Sequence, residues 1–366
     1  MKLISILLVC LVALFCSPMV PAQTSASSSK PNYTEQATLG MQALEVWYVQ
    51  GTGLYQTTGW WNSANAITVL VNYSRVSGSQ KYLPAIANTF TAAQTTSKNF
   101  LNDYYDDEGW WALAWIDAYD LTRNPQYLEM AATIFTDMAG GWETNTCGGG
   151  IWWSKEKHYK NAIANELFLS VAAHLANRAA SAKDRSHYLA WAVKEWDWFQ
   201  RSGMINAQHL VNDGLDSTHP NACVNNRQNT WSYNQGVVLG GLVELNRAHG
   251  DPALPRIAQE IAGATLAQLP DANGVLREPG GPHGGGDVPQ FKGIFVRNLM
   301  ALNDAFPNST YRSFVDTNAQ SIWNNARDAS YHFGQHWAGP FDAANAANQS
   351  SALDAILAAA EMHSSH

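Results

Sequence analysis

The chain has 366 residues, of which 46% are hydrophobic and 14% charged, and a net charge of -8. That is apolar material for one large domain or two ordinary ones. No cluster of more than a few Lys or Arg residues occurs, which excludes a basic nucleic-acid interface and a polybasic membrane patch.

The N-terminus reads as a secretory signal over residues 1–22. Lys2 supplies the positive charge, Leu3 to Phe15 is an apolar stretch too short to span a bilayer comfortably, and Val20-Pro21-Ala22 offers small residues for cleavage after Ala22. Residues 23–33 form a Ser-rich leader expected to be disordered, and residues 34–366 are expected to form one domain, because no Pro/Gly/Ser-rich linker divides them. A secreted, extracellular protein follows. Cys10 and Cys16 leave with the signal. In an oxidising compartment Cys147 and Cys223 are a candidate disulfide, with two free buried thiols as the alternative. Asn32, Asn72, Asn308 and Asn348 each begin an Asn-x-Ser/Thr glycosylation sequon. The C-terminus shows no small-residue site followed by a hydrophobic tail, so no GPI or other membrane anchor is expected in the mature chain.

Periodicity predicts about twelve helices, at roughly 34–49, 60–78, 80–95, 109–122, 125–139, 161–180, 185–203, 231–249, 254–269, 291–305, 311–328 and 349–362. They alternate in kind. One set is apolar on most faces and rich in small residues, as in Ala66-Ile67-Thr68-Val69-Leu70 and Gly236-Val237-Val238-Leu239-Gly240-Gly241, and such helices are buried. The other set is amphipathic, as in the helix from Arg185 to Phe199. Six inner helices alternating with six outer ones describe an all-α (α/α)6 barrel. A two-domain α-solenoid is the alternative. The long loops 96–108, 140–160, 204–230 and 270–290 precede inner helices and fall at one end of such a barrel, where function is expected.

One of these loops ends in Tyr104-Tyr105-Asp106-Asp107-Glu108-Gly109-Trp110-Trp111. Adjacent aspartates at a helix start can simply cap it and complement its dipole. Two neighbouring carboxylates flanked by aromatics after a long loop also suit glycosidic bond cleavage. Adjacent residues in a turn can place carboxyls about 5 Å apart, the separation of a retaining nucleophile and acid/base. Their mutual repulsion would raise one pKa. The doublets Trp60-Trp61, Trp110-Trp111 and Trp152-Trp153 lie at the same end. Neighbours on a helix do not share a face, so one member can enter the core while the other faces the cavity. Tyr104, Tyr105, Trp231 and Tyr233 add aromatic surface. The amides of Asn65, Asn165, Asn234 and Gln235 can bind sugar hydroxyls or cap helices. Lys292 can pair with a loop acid or with substrate. The run Gly280 to Asp287 lacks the features of a phosphate cradle and reads as a loop at the cleft mouth. His332 and His336 have no carboxylate pattern around them that suggests a metal.

The element Tyr105-Asp106-Asp107-Glu108-Gly109-Trp110-Trp111-Ala112-Leu113-Ala114 resembles glycoside hydrolase family 76, the α-1,6-mannanase family. Gly149-Gly150-Ile151-Trp152-Trp153, Lys160 to Glu166, Tyr233-Asn234-Gln235-Gly236 and Phe291-Lys292-Gly293-Ile294-Phe295 support the likeness, which extends from about residue 34 to the C-terminus. The resemblance implies an (α/α)6 barrel and retaining, endo-acting hydrolysis of the α-1,6-mannose backbone of mannans. Asp106 would be the nucleophile and Asp107 the general acid/base. It implies no metal and no organic cofactor. A monomer acting on mannan or manno-oligosaccharide is expected. Three other readings compete: a cell-wall transglycosidase acting on mannose-containing GPI glycans, a noncatalytic glycan-binding wall protein, and an unrelated (α/α)6 lyase or uronyl hydrolase. The aspartate pair argues against the second. The acidic balance argues against the third, because acidic sugars call for a basic cleft.

Overall fold

Alternation of buried and half-buried helices is the organising feature of the computed structural model, which describes residues 31–216, 218–219, 222–280 and 286–364. The signal segment, the leader to Lys30 and residues 281–285 of the glycine-rich run lie outside the described residues. Asn32–His366 is one compact unit.

Six helices form an inner ring: α2 (Trp60–Ser77), α4 (Tyr105–Thr122), α6 (Ala162–Arg178), α8 (Ser232–His249), α10 (Val288–Ala305) and α12 (Ala346–Ser364). Each packs on the next, and α12 packs back on α2 to close the ring. Six more lie outside: α1 (Tyr33–Glu45), α3 (Leu83–Ala92), α5 (Pro125–Gly140), α7 (Ala182–Phe199), α9 (Ala253–Gln268) and α11 (Ser309–Asn325). This is an (α/α)6 barrel. The two layers differ as their compositions require. Nearly every residue of α6 and α12 is buried, whereas α7 buries only Ala192, Glu195, Trp196, Trp198 and Phe199.

Short turns follow the inner helices. Gly78 and Gly250, with φ of 71° and 75°, end α2 and α8 in the left-handed conformation that glycine adopts without strain. The long loops precede them, so the N-termini of the inner helices gather at one end. Near the other end Arg178 joins α4, α6 and α8, reaching Asp120 at 2.6 Å and Glu244 at 3.0 Å. Cys147 and Cys223 are bonded, with Cα atoms 5.2 Å apart, and tie the loop before α6 to the loop before α8.

Three details depart from the sequence expectations. Helix α1 stops at Glu45, because Tyr48–Val49 (β1) pairs antiparallel with Leu54–Tyr55 (β2). Helix α4 begins at Tyr105 rather than 109, so both aspartates sit in its first turn, where acidic side chains suit the helix dipole. The sequon at Asn348 falls on the first turn of an inner helix. Its side chain is 3% exposed and donates to the Ala343 carbonyl at 2.9 Å, so the folded chain has no room for a glycan there. Asn72 is half-buried on α2. Asn32 and Asn308 are exposed, capping the outer helices α1 and α11.

Candidate active site

Four inner helices contribute one aromatic residue each to the base of a cleft. Trp61 of α2 stacks on Trp110 of α4 with ring centres 5.6 Å apart, and Trp110 stacks on Tyr233 of α8 at 6.4 Å. Tyr233 stacks on Phe291 of α10 at 3.9 Å, and Phe291 returns to Trp61 at 6.5 Å. The cycle is closed, so the base of the cleft is apolar and belongs to no single helix. Above it Asp106, Asp107, Asp287, Tyr104 and Trp153 complete a cavity of about 320 Å³. A larger hollow of about 570 Å³ lies along α7 beside Trp142, Lys194 and Trp198, but it holds only one carboxylate, Asp197.

The three acids are held differently. Asp106 accepts two N–H donors, the Trp153 indole on Oδ2 at 2.9 Å and the Asp107 backbone on Oδ1 at 3.0 Å. Asp107 accepts the Asn102 amide on Oδ2 at 2.7 Å. Asp287 accepts the Trp61 indole at 2.9 Å. Burial first, and the neighbouring Asp107 charge second, push the Asp106 carboxyl well above its ordinary value. Burial pushes Asp107 up to about 6, with Asn102 opposing and the Asp287 charge adding to the rise. Burial thus raises both members of the pair, while the hydrogen-bond donors on Asp106 oppose that rise.

The strands of chain carrying these donors are laced together. Buried Glu108 accepts the Asn102 backbone N–H at 3.0 Å and the Lys155 ammonium at 2.9 Å, and Lys155 also reaches Asp137 at 2.9 Å. Burial drives Glu108 up to about 8, against the opposing Lys155 charge. The Lys155 backbone N–H donates to the Asp103 carbonyl at 2.9 Å, and that of Tyr105 to the Trp153 carbonyl at 3.0 Å. Tyr104 and Trp153 stand at the rim, 40% and 38% exposed, with rings 5.0 Å apart. Lys160, over the Trp152 ring at 4.8 Å, is 3% exposed and donates to the carbonyls of Glu143, Thr146 and Gly149 at 2.9, 2.7 and 2.5 Å.

The doublets on α2 and α4 divide as a helix surface requires, and Trp152-Trp153 divides likewise in the loop before α6. Trp61, Trp110 and Trp153 line the cleft. Trp60 instead packs on wholly buried Trp111 at 5.5 Å, and Trp152 is 4% exposed with its indole N–H on Glu143 at 3.1 Å. Tyr105 is buried, its ring filling the space beside Gly141.

The amides expected at the cleft are mostly elsewhere. Asn165 accepts the Ile151 N–H at 2.7 Å and donates to its carbonyl at 3.0 Å, and Gln235 does the same for Val211 at 2.7 and 2.8 Å. Each acts as a substitute strand partner that clips a long loop to an inner helix. Asn65 is buried and accepts Arg297, whose guanidinium lies beneath Trp110 at 5.8 Å. Asn234 is buried, and neither of its amide atoms bonds a protein group. Lys292 is 4% exposed, donates to the Gln335 carbonyl, and lies over the Trp337 ring at 4.7 Å. None of Trp60, Tyr105, Trp111, Trp152, Asn65, Asn165, Asn234, Gln235 and Lys292 lines the cleft. Asn102, Asp287 and Phe291 belong to it or touch its acids although none was expected as a site residue; only Asn102 carried no signal at all. Phe291 was visible as the opening of an apolar helix and in one stretch of the family likeness. Asp287 ends the run expected at the cleft mouth and precedes Val288-Pro289, a helix start, but nothing singled it out as a site acid.

An apolar ring base beneath paired carboxylates, both raised by burial, suits a sugar ring and acid-base cleavage of its linkage. Solved structures agree with this geometry in fold. The Lin0763 protein of Listeria innocua is 27% identical, with a TM-score of 0.81 over 91% of this chain and 98% of its own. An inactive variant of the α-1,6-mannanase GH76A of Salegentibacter sp. HEL1_6, in complex with α-1,6-mannotetrose, is 25% identical, with a TM-score of 0.81 over 90% of this chain and 99% of its own. Among curated relatives, the mannan endo-1,6-alpha-mannosidase DCW1 of Candida albicans is 29% identical over 51% of this chain and 44% of its own length. The chain thus spans about half the length of the curated relatives it matches. A family model described as glycosyl hydrolase family 76 matches residues 29–365. With its ring of helices, aromatic cleft and adjacent carboxylates, the chain belongs to glycosyl hydrolase family 76.

Proposed function

We propose that this chain is a retaining endo-α-1,6-mannanase, secreted from the cell, with Asp106 as nucleophile and Asp107 as general acid/base. The observation that carries the reading is the unequal hydrogen bonding of the two adjacent carboxylates in one aromatic cleft. Asp106, with two N–H donors, is the better carboxylate. Burial raises both carboxyls, so the division of roles follows from the hydrogen bonds: Asp107, held by the single Asn102 amide and raised to about 6, is left as the proton donor. Asp106 attacks the anomeric carbon while Asp107 protonates the departing glycosidic oxygen. A glycosyl ester forms on Asp106. Asp107 then takes a proton from water, which attacks the same carbon and releases Asp106. The stacked ring base offers an apolar platform to the sugar, and the electron-rich aromatic faces favour the positive charge of the transition state. The similar Salegentibacter mannanase is inactive when two consecutive aspartates are replaced, which supports giving the chemistry to a consecutive pair.

The test is product analysis on unbranched α-1,6-mannan, with Asp106→Ala and Asp107→Ala beside the wild type. Short manno-oligosaccharides released first as the α-anomer, and none from either variant, are the expected result. Initial β-anomer would overturn the retaining mechanism. Transfer of mannosyl units to added acceptor without net hydrolysis would move the assignment to a transglycosidase.

A further inference from the structure

Beyond the dyad itself, we propose that Asn102 and Asp287 are an opposed pair of positioning residues that set the proton affinity of Asp107 from two sides of the cleft. The inference rests on the acid/base role given to Asp107 above.

Asn102 comes from the loop before α4. Its amide Nδ2 lies 2.7 Å from Asp107 Oδ2, and its Oδ1 accepts the Tyr104 backbone N–H at 2.8 Å. The amide orientation is therefore fixed, with the carbonyl occupied and the NH₂ directed at the carboxylate. Buried Glu108 fixes the Asn102 backbone in turn. A neutral N–H donor stabilises the ionised form of its partner. Asp287 comes from the opposite wall, at the N-cap of α10, and lines the same cavity. The Trp61 indole holds it in place, and Trp61 is itself fixed between Trp110 and Phe291. A second negative charge across the cleft disfavours ionisation of Asp107.

The groups facing Asp107 are Asp106 from its own helix, Asp287 from α10, Tyr233 from α8 and Tyr104 at the rim. Glu108 and Lys155 pair with one another behind it. Asn102 gives Asp107 its hydrogen bond, and Asp287 adds a charge whose sign can be removed without changing shape. The two residues therefore act in opposite senses on one proton. A general acid must hold its proton until the leaving group arrives and release it afterwards, so both senses are needed.

The experiment compares Asn102→Ala, Asp287→Asn and the double variant with the wild type. Two readouts are taken: the alkaline limb of kcat/KM on α-1,6-mannan, and the ¹³Cγ titration of Asp107 in the full chain labelled at aspartate. Asn102→Ala is expected to move both midpoints up by about one pH unit, and Asp287→Asn to move both down by about one. The double variant is expected to return near the wild type. Asn102→Asp keeps the acceptor for Tyr104 and should move the midpoint further up, which serves if the alanine variant does not fold. Midpoints that stay in place, or that move in the same direction in both single variants, overturn the proposal. The carbon titration needs no turnover. Opposed shifts without mannan cleavage would therefore reject the assigned function and leave the opposed pair standing. Cleavage with unmoved midpoints would reject the pair alone.

Discussion

Trp153→Phe isolates a single hydrogen bond at the proposed nucleophile. The indole N–H donates to Asp106 Oδ2 at 2.9 Å, and the six-membered ring of phenylalanine can keep the contact with Tyr104 while removing the donor. A hydrogen bond to a charged group is worth about 1.5–3 kcal/mol, or roughly 10-fold to 150-fold in an equilibrium. That stabilisation favours the ionised form of Asp106. Its loss raises the carboxyl further, so the fraction of molecules with a charged nucleophile falls on the acid side of the profile. The acid limb of kcat/KM should therefore move up, and kcat/KM measured below that limb should fall by about 10-fold to 100-fold. Above the limb the loss should be smaller, because Asp106 is ionised in both proteins. The same hydrogen bond contributes to folding wherever Asp106 is ionised, so the melting temperature should fall by about 2–4 °C there. The assay is reducing-sugar release from α-1,6-mannan across pH, with calorimetry in parallel. An acid limb that does not move, with kcat/KM within about twofold of wild type throughout, would refute the role given to the Trp153 N–H.

Three further outcomes concern the scaffold. Lys160→Met should lower stability by about 3–5 kcal/mol in denaturant titration, because three backbone carbonyls lose a charged donor at once; a loss below about 1 kcal/mol would mean that the loop before α6 is held by other contacts. Replacing Cys147 and Cys223 together by Ser should cost about 4 kcal/mol on the chain-entropy account, since the bond closes a separation of 76 residues; an unchanged denaturation midpoint would contradict that account. Arg178→Leu should destabilise by about 3–5 kcal/mol by stranding Asp120 and Glu244. Burial would raise Glu244, but the charges of His174, Arg178 and Arg247 and the Asn177 amide overcome it and hold the carboxyl near 2. The Glu244 contribution is thus fully present above the ordinary carboxylate range and is lost as pH falls toward 2. In Arg178→Leu that part of the acid sensitivity should shrink, as acid-unfolding curves would show.

The alternation of helices was legible because burial leaves a compositional mark: small apolar residues on all faces of α6 and α12, mixed faces on α7. Boundaries were less legible. The apolar run after Glu45 continues the helical pattern, and only the β1–β2 pairing, a tertiary preference, stops it. At the site the aspartate pair and one member of each tryptophan doublet were readable, since local sequence places them. The amides of Asn165 and Gln235 misled for a physical reason. Binding a sugar hydroxyl and clipping a loop backbone call for the same donor and acceptor, and only the fold decides which partner arrives. The run ending in Asp287 was expected at the cleft mouth, but its nearness to Asp107 is made by ring closure and leaves no trace in local sequence.

That closure has a consequence for how the cleft comes into being. Trp61 and Asp287 are joined across 226 residues, and Gln349 of α12 donates to the Gly40 carbonyl across 309. Helices form in about a microsecond from local contacts, whereas contacts of such separation wait for the intervening chain to be organised. The aromatic cycle needs α2, α4, α8 and α10 in register, and α12 is the piece that joins α10 to α2. Both carboxylates thus lie in the first third of the chain, but the cleft that gives them their proton affinities needs contacts reaching its last helices. The acids and the rings that surround them come together only when α2, α4, α8 and α10 are closed into one ring, with α12 between α10 and α2.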